Sequence, residues 1–122
     1  MNVILRELSR EDLETEYSKE NKDGLILSQQ VRFHTDLEQF EILYSQIYPI
    51  LERDLKDCIS GMGFRIKQHD IVMHTNYLNQ DQLDFLVDNT LALMNGIIQA
   101  HNFKVQMLNG VKELNKQVLI ME

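Results

Sequence analysis

The chain has 122 residues, 43% hydrophobic and 25% charged, with one Pro and one Cys; this is the size and make-up of one globular domain that can bury a core without disulfide or metal staples. Nineteen Asp and Glu against twelve Lys and Arg give a net charge of −7, which works against binding to nucleic acid phosphates over most of the surface and makes a protein, a basic one most simply, the easier partner. The single Cys58 cannot form an intrachain disulfide, no run approaches the roughly 20 apolar residues of a membrane span, and the opening Met1 to Glu7 lacks the apolar stretch of a signal peptide, so a cytoplasmic protein without a cofactor is expected.

In chain order, residues 2–7 read as a short strand and 9–20 as a helix. Ser9-Arg10-Glu11-Asp12 supplies a capping box, and Leu8 with Leu13 a hydrophobic staple across it. Asn21-Lys22-Asp23-Gly24 then turns the chain. From residue 25 to 34 apolar residues alternate, with Leu25, Leu27, Val31 and Phe33 on one face and Gln30, Arg32 and His34 on the other; Ile26 breaks the pattern. A second capping box at Thr35-Asp36-Leu37-Glu38 opens a long helix whose buried stripe runs Leu37, Phe40, Tyr44, Ile47, Leu51, Leu55 and Cys58. Pro49 removes one hydrogen bond from its middle, which predicts a kink or a break. Gly61-Met62-Gly63 ends that helix, and Phe64 to Lys67 forms a strand with Phe64 and Ile66 on one face, Arg65 and Lys67 on the other.

Gln68-His69-Asp70 predicts a hairpin turn into a strand over 71–77, with Ile71 and Met73 inward, Val72 and His74 outward. Asn79 to Gln82 caps the next helix, stapled by Leu78 and Leu83, and Leu83, Leu86, Val87, Thr90, Met94, Ile97 and His101 mark its buried face. Phe103, Val105 and Met107 alternate with Lys104, Gln106 and Leu108 as a further strand, Asn109-Gly110 gives a tight turn, and residues 117–121 close with a strand. The fold expected is α+β: a β-α-β-β-α-β core over 25–108 in the ferredoxin-like, split βαβ arrangement. An N-terminal strand-helix extension (1–24) and a C-terminal hairpin strand (109–122) complete a single domain. Strands near 2–7 and 117–121 lie outside the repeat. One of them is expected at a sheet edge, which predicts self-association by strand addition into a homo-oligomer.

Two surfaces stand out as candidate sites. Strand alternation gathers Arg32, His34, Arg65, Lys67, His74 and Lys104 on the sheet face opposite the helices. That face binds an anionic ligand, such as a nucleotide, or is covered by the acidic segment 9–20 or by a second subunit; the covered face is favoured, because no aromatic platform accompanies the charge. The second surface is acidic: Glu11, Asp12, Glu14 and Glu16 in one predicted helix and Asp81, Asp84 and Asp88 in another complement helix dipoles and offer a docking surface for a basic protein. His34, Asp70 and His74 could share a face as metal ligands if their strands are adjacent, although solvated histidines at strand ends are the commoner outcome. Cys58 on an apolar stripe reads as a small hydrophobe.

Val3-Ile4-Leu5-Arg6-Glu7-Leu8-Ser9-Arg10-Glu11-Asp12-Leu13 resembles the first strand and helix of GNAT-type acetyltransferases over eleven residues. The glycine-containing loop with which those enzymes hold the acyl-CoA pyrophosphate has no counterpart in the chain. No nucleophile elbow or phosphate-cradling glycine loop is present either. The function expected is a non-catalytic protein-interaction module, an acidic adaptor or an inhibitor or immunity-type protein. The alternative is a sensor of a small anionic ligand.

Overall fold

A computed structural model describes residues 3–17, 21–57 and 59–121, and for Tyr17 and residues 115–121 the backbone alone. Four strands, β1 (Leu13–Tyr17), β2 (Gln29–His34), β3 (Gly61–Arg65) and β4 (Asp70–Thr75), form one antiparallel sheet in the order β1-β2-β4-β3. Two helices, α1 (Leu37–Leu55) and α2 (Gln80–Met121), join it, so the class is α+β with the element order β-β-α-β-β-α.

The sheet's inner face is set by pleat alternation. Phe33 lies between Leu13 and Ile71, and Val31 between Thr15 and Met73, in the registers of β1 with β2 and β2 with β4. Phe33, Val31, Ile71 and Met73 have no exposed surface and merge with Leu43, Ile47 and Leu51 of α1 and Leu83, Met94 and Ile98 of α2 in one core. Each of the larger of these side chains contributes about 2 kcal/mol by leaving water. α1 buries Phe40, Leu43, Ile47 and Leu51, at the spacing of one helix face. Leu43 takes the place expected for Tyr44, which is half exposed. The helix passes through Pro49 without a break. The ring is on the solvent side, and Ser45, whose carbonyl has no N–H to accept from at Pro49, is exposed as well. Cys58, expected on this stripe, lies outside the described residues.

Three expectations are corrected. The segment 9–20 is not helical where described: the Ser9–Asp12 capping box closes only a single 3-10 turn, and Leu13 to Tyr17 is the edge strand β1. Thr15 and Tyr17 are strand formers, and the pairing of all five β1 residues with β2 outweighs one good cap. Residues 3–9 form no strand. They run as an extended arm along α2, held by two asparagines seven residues apart: Asn95 bonds both the N–H and the C=O of Leu8 (2.8 and 2.8 Å), and Asn102 both those of Leu5 (2.7 and 2.8 Å). Gln39 adds a bond to the Arg6 carbonyl at 2.6 Å, and the arm buries Leu5 and Leu8.

The third correction is the largest. The strands expected at 103–108 and 117–121 and the turn at Asn109-Gly110 are all parts of α2, a single helix of 42 residues, about 63 Å long. Ile98, Asn102 and Val105 continue the inward stripe of Met94 at helical spacing, so the bonds and burial that hold the arm also carry the helix through the predicted strand. From β2 to α2 the expected β-α-β-β-α order holds, but the closing strand of the repeat and, among the described residues, the N-terminal strand and helix and the C-terminal hairpin strand do not form.

Candidate functional site

The outer face of the sheet is open, and the register assigns its rungs. His34 lies between Asp70 on β4 and the edge, Arg32 between Glu14 and Val72, and Gln30 between Glu16 and His74. Pairing β1 with β2 thus brings two acids onto a face that strand alternation alone had made basic. His34 is central: Nδ1 meets Asp70 at 2.8 Å and Nε2 meets Glu14 at 3.1 Å. Arg32 lies 3.8 Å from each of the same two carboxylates. The hydrogen bond with Asp70, aided by the one with Glu14, holds the His34 imidazole above its ordinary pKa against partial burial. Asp70 is only 4% exposed, and the Arg32 Nε is buried without a hydrogen bond beside it. Arg32 and His34 thus share two carboxylates in a half-buried cluster whose charges balance when His34 is protonated. The acidic segment expected to cover this face as a helix is instead the edge strand β1 of the same sheet, and supplies Glu14 and Glu16 to the face from beside β2.

The remaining basic residues do not join the cluster. Arg65 is at the end of β3, paired with Asp70 in register, and Lys67 is in the exposed turn that follows. Lys104 is on α2 and is not a sheet residue at all. His74 is on the open face, yet antiparallel register sets it opposite Gln30. Four residues of β2 then separate it from His34, about 13 Å along the strand. His34, Asp70 and His74 therefore cannot share one ion, and among the described residues no three His, Cys, Asp or Glu side chains are grouped to hold a metal.

The seven acids proposed as a docking surface are divided. Asp12 is engaged by Arg6 (3.0 Å) and by the Ser9 N–H (2.8 Å), and the Arg6 bond lowers its pKa. Glu11 is exposed in the same turn. Glu14 and Glu16 face the open side of the sheet, whereas Asp81, Asp84 and Asp88 are on α2, against the other side. Arg10 bonds Asp88 at 2.6 Å and approaches Asp84 at 3.9 Å, which ties the turn before β1 to α2.

Sequence reading passed over the outward side of α2. Phe85, Ala92, Gly96, Phe103, Met107 and Leu114 recur at alternating spacings of seven and four residues and fall within a narrow band when the helix is advanced by its usual turn. Phe85 is 72% exposed, Phe103 63% and Leu114 60%. Val111, at the edge of the band, is also more than half exposed. Beside Phe85 the band opens into a groove of about 850 Å³ between the end of α1 and α2, with Leu55, Leu78, Leu86 and Leu93 in its walls. Among the described side chains Val105 is the last buried one of α2, and those from Gln106 to Leu114 are exposed, Met107, Leu108, Val111 and Leu114 among them. Two strong aromatics 18 residues apart on one helix were the available signal; the assignment of 103–108 as a strand hid it.

No helix among the described residues is long and apolar enough to cross a membrane. Comparison of the chain with protein-family models, with curated proteins and with solved structures finds no match in any of the three.

Proposed function

We propose that this chain is a protein-interaction module, an adaptor in kind, that binds another polypeptide through the outward side of α2. The observation that carries the reading is the band from Phe85 to Leu114: an exposed apolar strip along most of a 42-residue helix, continued beyond the last buried residue. Exposed apolar surface of this extent marks interaction sites, and a helix whose side chains from Gln106 to Leu114 are all exposed draws little support there from its own fold. The charged residues favour the same side. Arg32 and His34, the two basic side chains of β2 on the open sheet face, are matched by Glu14 and Asp70, which weakens the case for an anionic ligand there.

The test is a photo-activated cross-linking residue placed at Met107, on the band, or at Asn109, off it, in cells expressing the protein. The expected result is one discrete polypeptide adduct from position 107, identified by mass spectrometry, and none from 109. Equal labelling from both positions, or none from 107, would overturn the proposal.

A further inference from the structure

We infer that the polypeptide on this band is a second copy of the same chain, packed antiparallel so that the two α2 helices cross near Gly96. The inference rests on the reading of α2 as the interaction face and names its occupant.

Three features of the band support it. The first is its self-complementary order. Ala92, Gly96 and Ala100 are exposed and small, and a methyl group placed on Gly96 would meet nothing within 4 Å. Larger side chains stand on both sides, Phe85 toward the start and Phe103, Met107 and Val111 toward the end. A two-fold axis at Gly96 sets small residues against small ones, where two backbones can approach closely. It also sets Met107 of each copy at the level of Phe85 of the other, where the apolar groove opens, and Leu114 at the level of Leu78 in the groove wall. The buried side of α2 faces its own core, so both bodies stay on the outside of such a pair.

Charge is the second feature. Between Phe85 and Leu114 the band itself carries no charged residue, so two chains of net charge −7 can meet along it without bringing acids together. The same layout selects direction. The first half of α2 holds Asp81, Asp84 and Asp88 and no base, whereas residues 102–116 hold Lys104, Lys112 and Lys116 with one acid, Glu113. A parallel pair would stack the three aspartates beside their own copies; an antiparallel pair sets them at the level of the partner's lysine-bearing half.

Area is the third. Phe85, Phe103, Met107, Val111 and Leu114 are each more than half exposed. Covering about 100 Å² on each of them in both copies gives about 1,000 Å², the threshold a biological interface has to clear, before the small residues at the crossing and the groove walls are added.

The test uses the full chain with Cys58→Ser as background. Mild oxidation of Gly96→Cys is expected to give a covalent dimer, and so is a mixture of Phe85→Cys with Met107→Cys. Phe85→Cys alone is expected to give none, because the two copies of residue 85 are about 33 Å apart along the antiparallel pair. Sedimentation of the unmodified protein should show a dimer, weakened about 100-fold by Phe103→Glu, which buries a charge on the band, and unchanged by Asn109→Asp, which lies off it. Self-linking of Phe85→Cys would mean a parallel pair and overturn the inference. So would a monomer at 100-micromolar concentrations with no disulfide from any variant. If the adduct at Met107 is then a different polypeptide, self-pairing fails while the interaction reading stands; if there is no adduct, both fail.

Discussion

Replacing Asp70 with Asn removes the charge of the one carboxylate that is both buried and shared. Its side chain is 6% exposed, against 23% for Arg32 and 45% for His34. Breaking a fully buried pair by neutralising one partner costs about 3–5 kcal/mol, because the other charge is left unpaired. Here both cations are partly solvated and Glu14 still lies 3.8 Å from Arg32 and 3.1 Å from His34, which brings the expected loss down to about 2 kcal/mol. For a chain of this length that corresponds to a fall in Tm of about 8 °C.

The pH dependence is the sharper part of the prediction. His34 has its pKa raised in the fold, first by the Asp70 hydrogen bond. Its contribution to stability is therefore complete below the unfolded histidine value, about 6.5, and is lost as pH rises through the higher folded value. Urea unfolding at pH 6 and pH 8.5 measures the decline. The decline attributable to His34, taken as the difference between the native chain and His34→Gln, should shrink sharply in the Asp70→Asn background. A double-mutant cycle showing no coupling between positions 34 and 70, or an undiminished His34-dependent decline in Asp70→Asn, would refute the assignment of this cluster.

The arm gives a second prediction: Asn102→Ala deprives the Leu5 N–H and C=O of their partners, costing about 2 kcal/mol, and limited proteolysis should cut within residues 3–12 faster than in the native chain. Tyr77 is held at φ 60° by backbone bonds across Ile26, and its side chain is 65% exposed. Tyr77→Asn, which tolerates that region better, should therefore raise stability by about 0.5 kcal/mol, read as a small increase in Tm. Asp12 has its pKa lowered chiefly by Arg6, so its contribution is present above the ordinary aspartate value and lost as pH falls through the lowered one. Arg6→Gln should flatten acid unfolding below the ordinary aspartate value, by less than about 1 kcal/mol because Arg6 is mostly exposed.

What was legible in the sequence was the local chemistry. The capping pairs before α1 and α2 form with Gln39 and Gln82 reaching back to Asp36 and Asn79, one residue along from the expected box in the first case. The alternation of Val31 with Phe33 and of Ile71 with Met73 predicts the inner face of the sheet correctly. The failures lie where two periods coincide over a short stretch. Leu13-Glu14-Thr15-Glu16-Tyr17 follows a good cap and is rich in acids, yet its alternation is that of a strand, and only the presence of β2 beside it decides. Phe103 to Leu108 alternates like a strand, but Phe103 and Met107 are also four apart. The choice between the two readings depends on Asn102 finding Leu5, a contact 97 residues away in sequence. Ile26, the mismatch in the predicted strand, is 1% exposed because it bridges to Leu78 ahead of β2 and starts the inward pattern on its own.

That second failure concealed the candidate site. With 103–108 as a strand, Lys104 joins the sheet and makes it a cationic surface in an acidic protein, which directs attention to anions. With the same residues in α2, the charge pattern changes meaning. Arg32 and His34 are taken up by Glu14 and Asp70, Arg10 by Asp84 and Asp88, and Arg6 by Asp12. Three of the twelve Lys and Arg, with His34, thus tie the edge strand to β2 and β4, the turn before β1 to α2, and the arm to that turn. A partner drawn to the acids would have to compete with these internal pairs, each of them largely screened by water and salt. The band on α2 has no such competitor: covering it displaces only water from apolar side chains, and that gain is insensitive to the −7 net charge. Association through α2 should therefore persist at high salt, whereas docking on the acidic residues should weaken as salt is added.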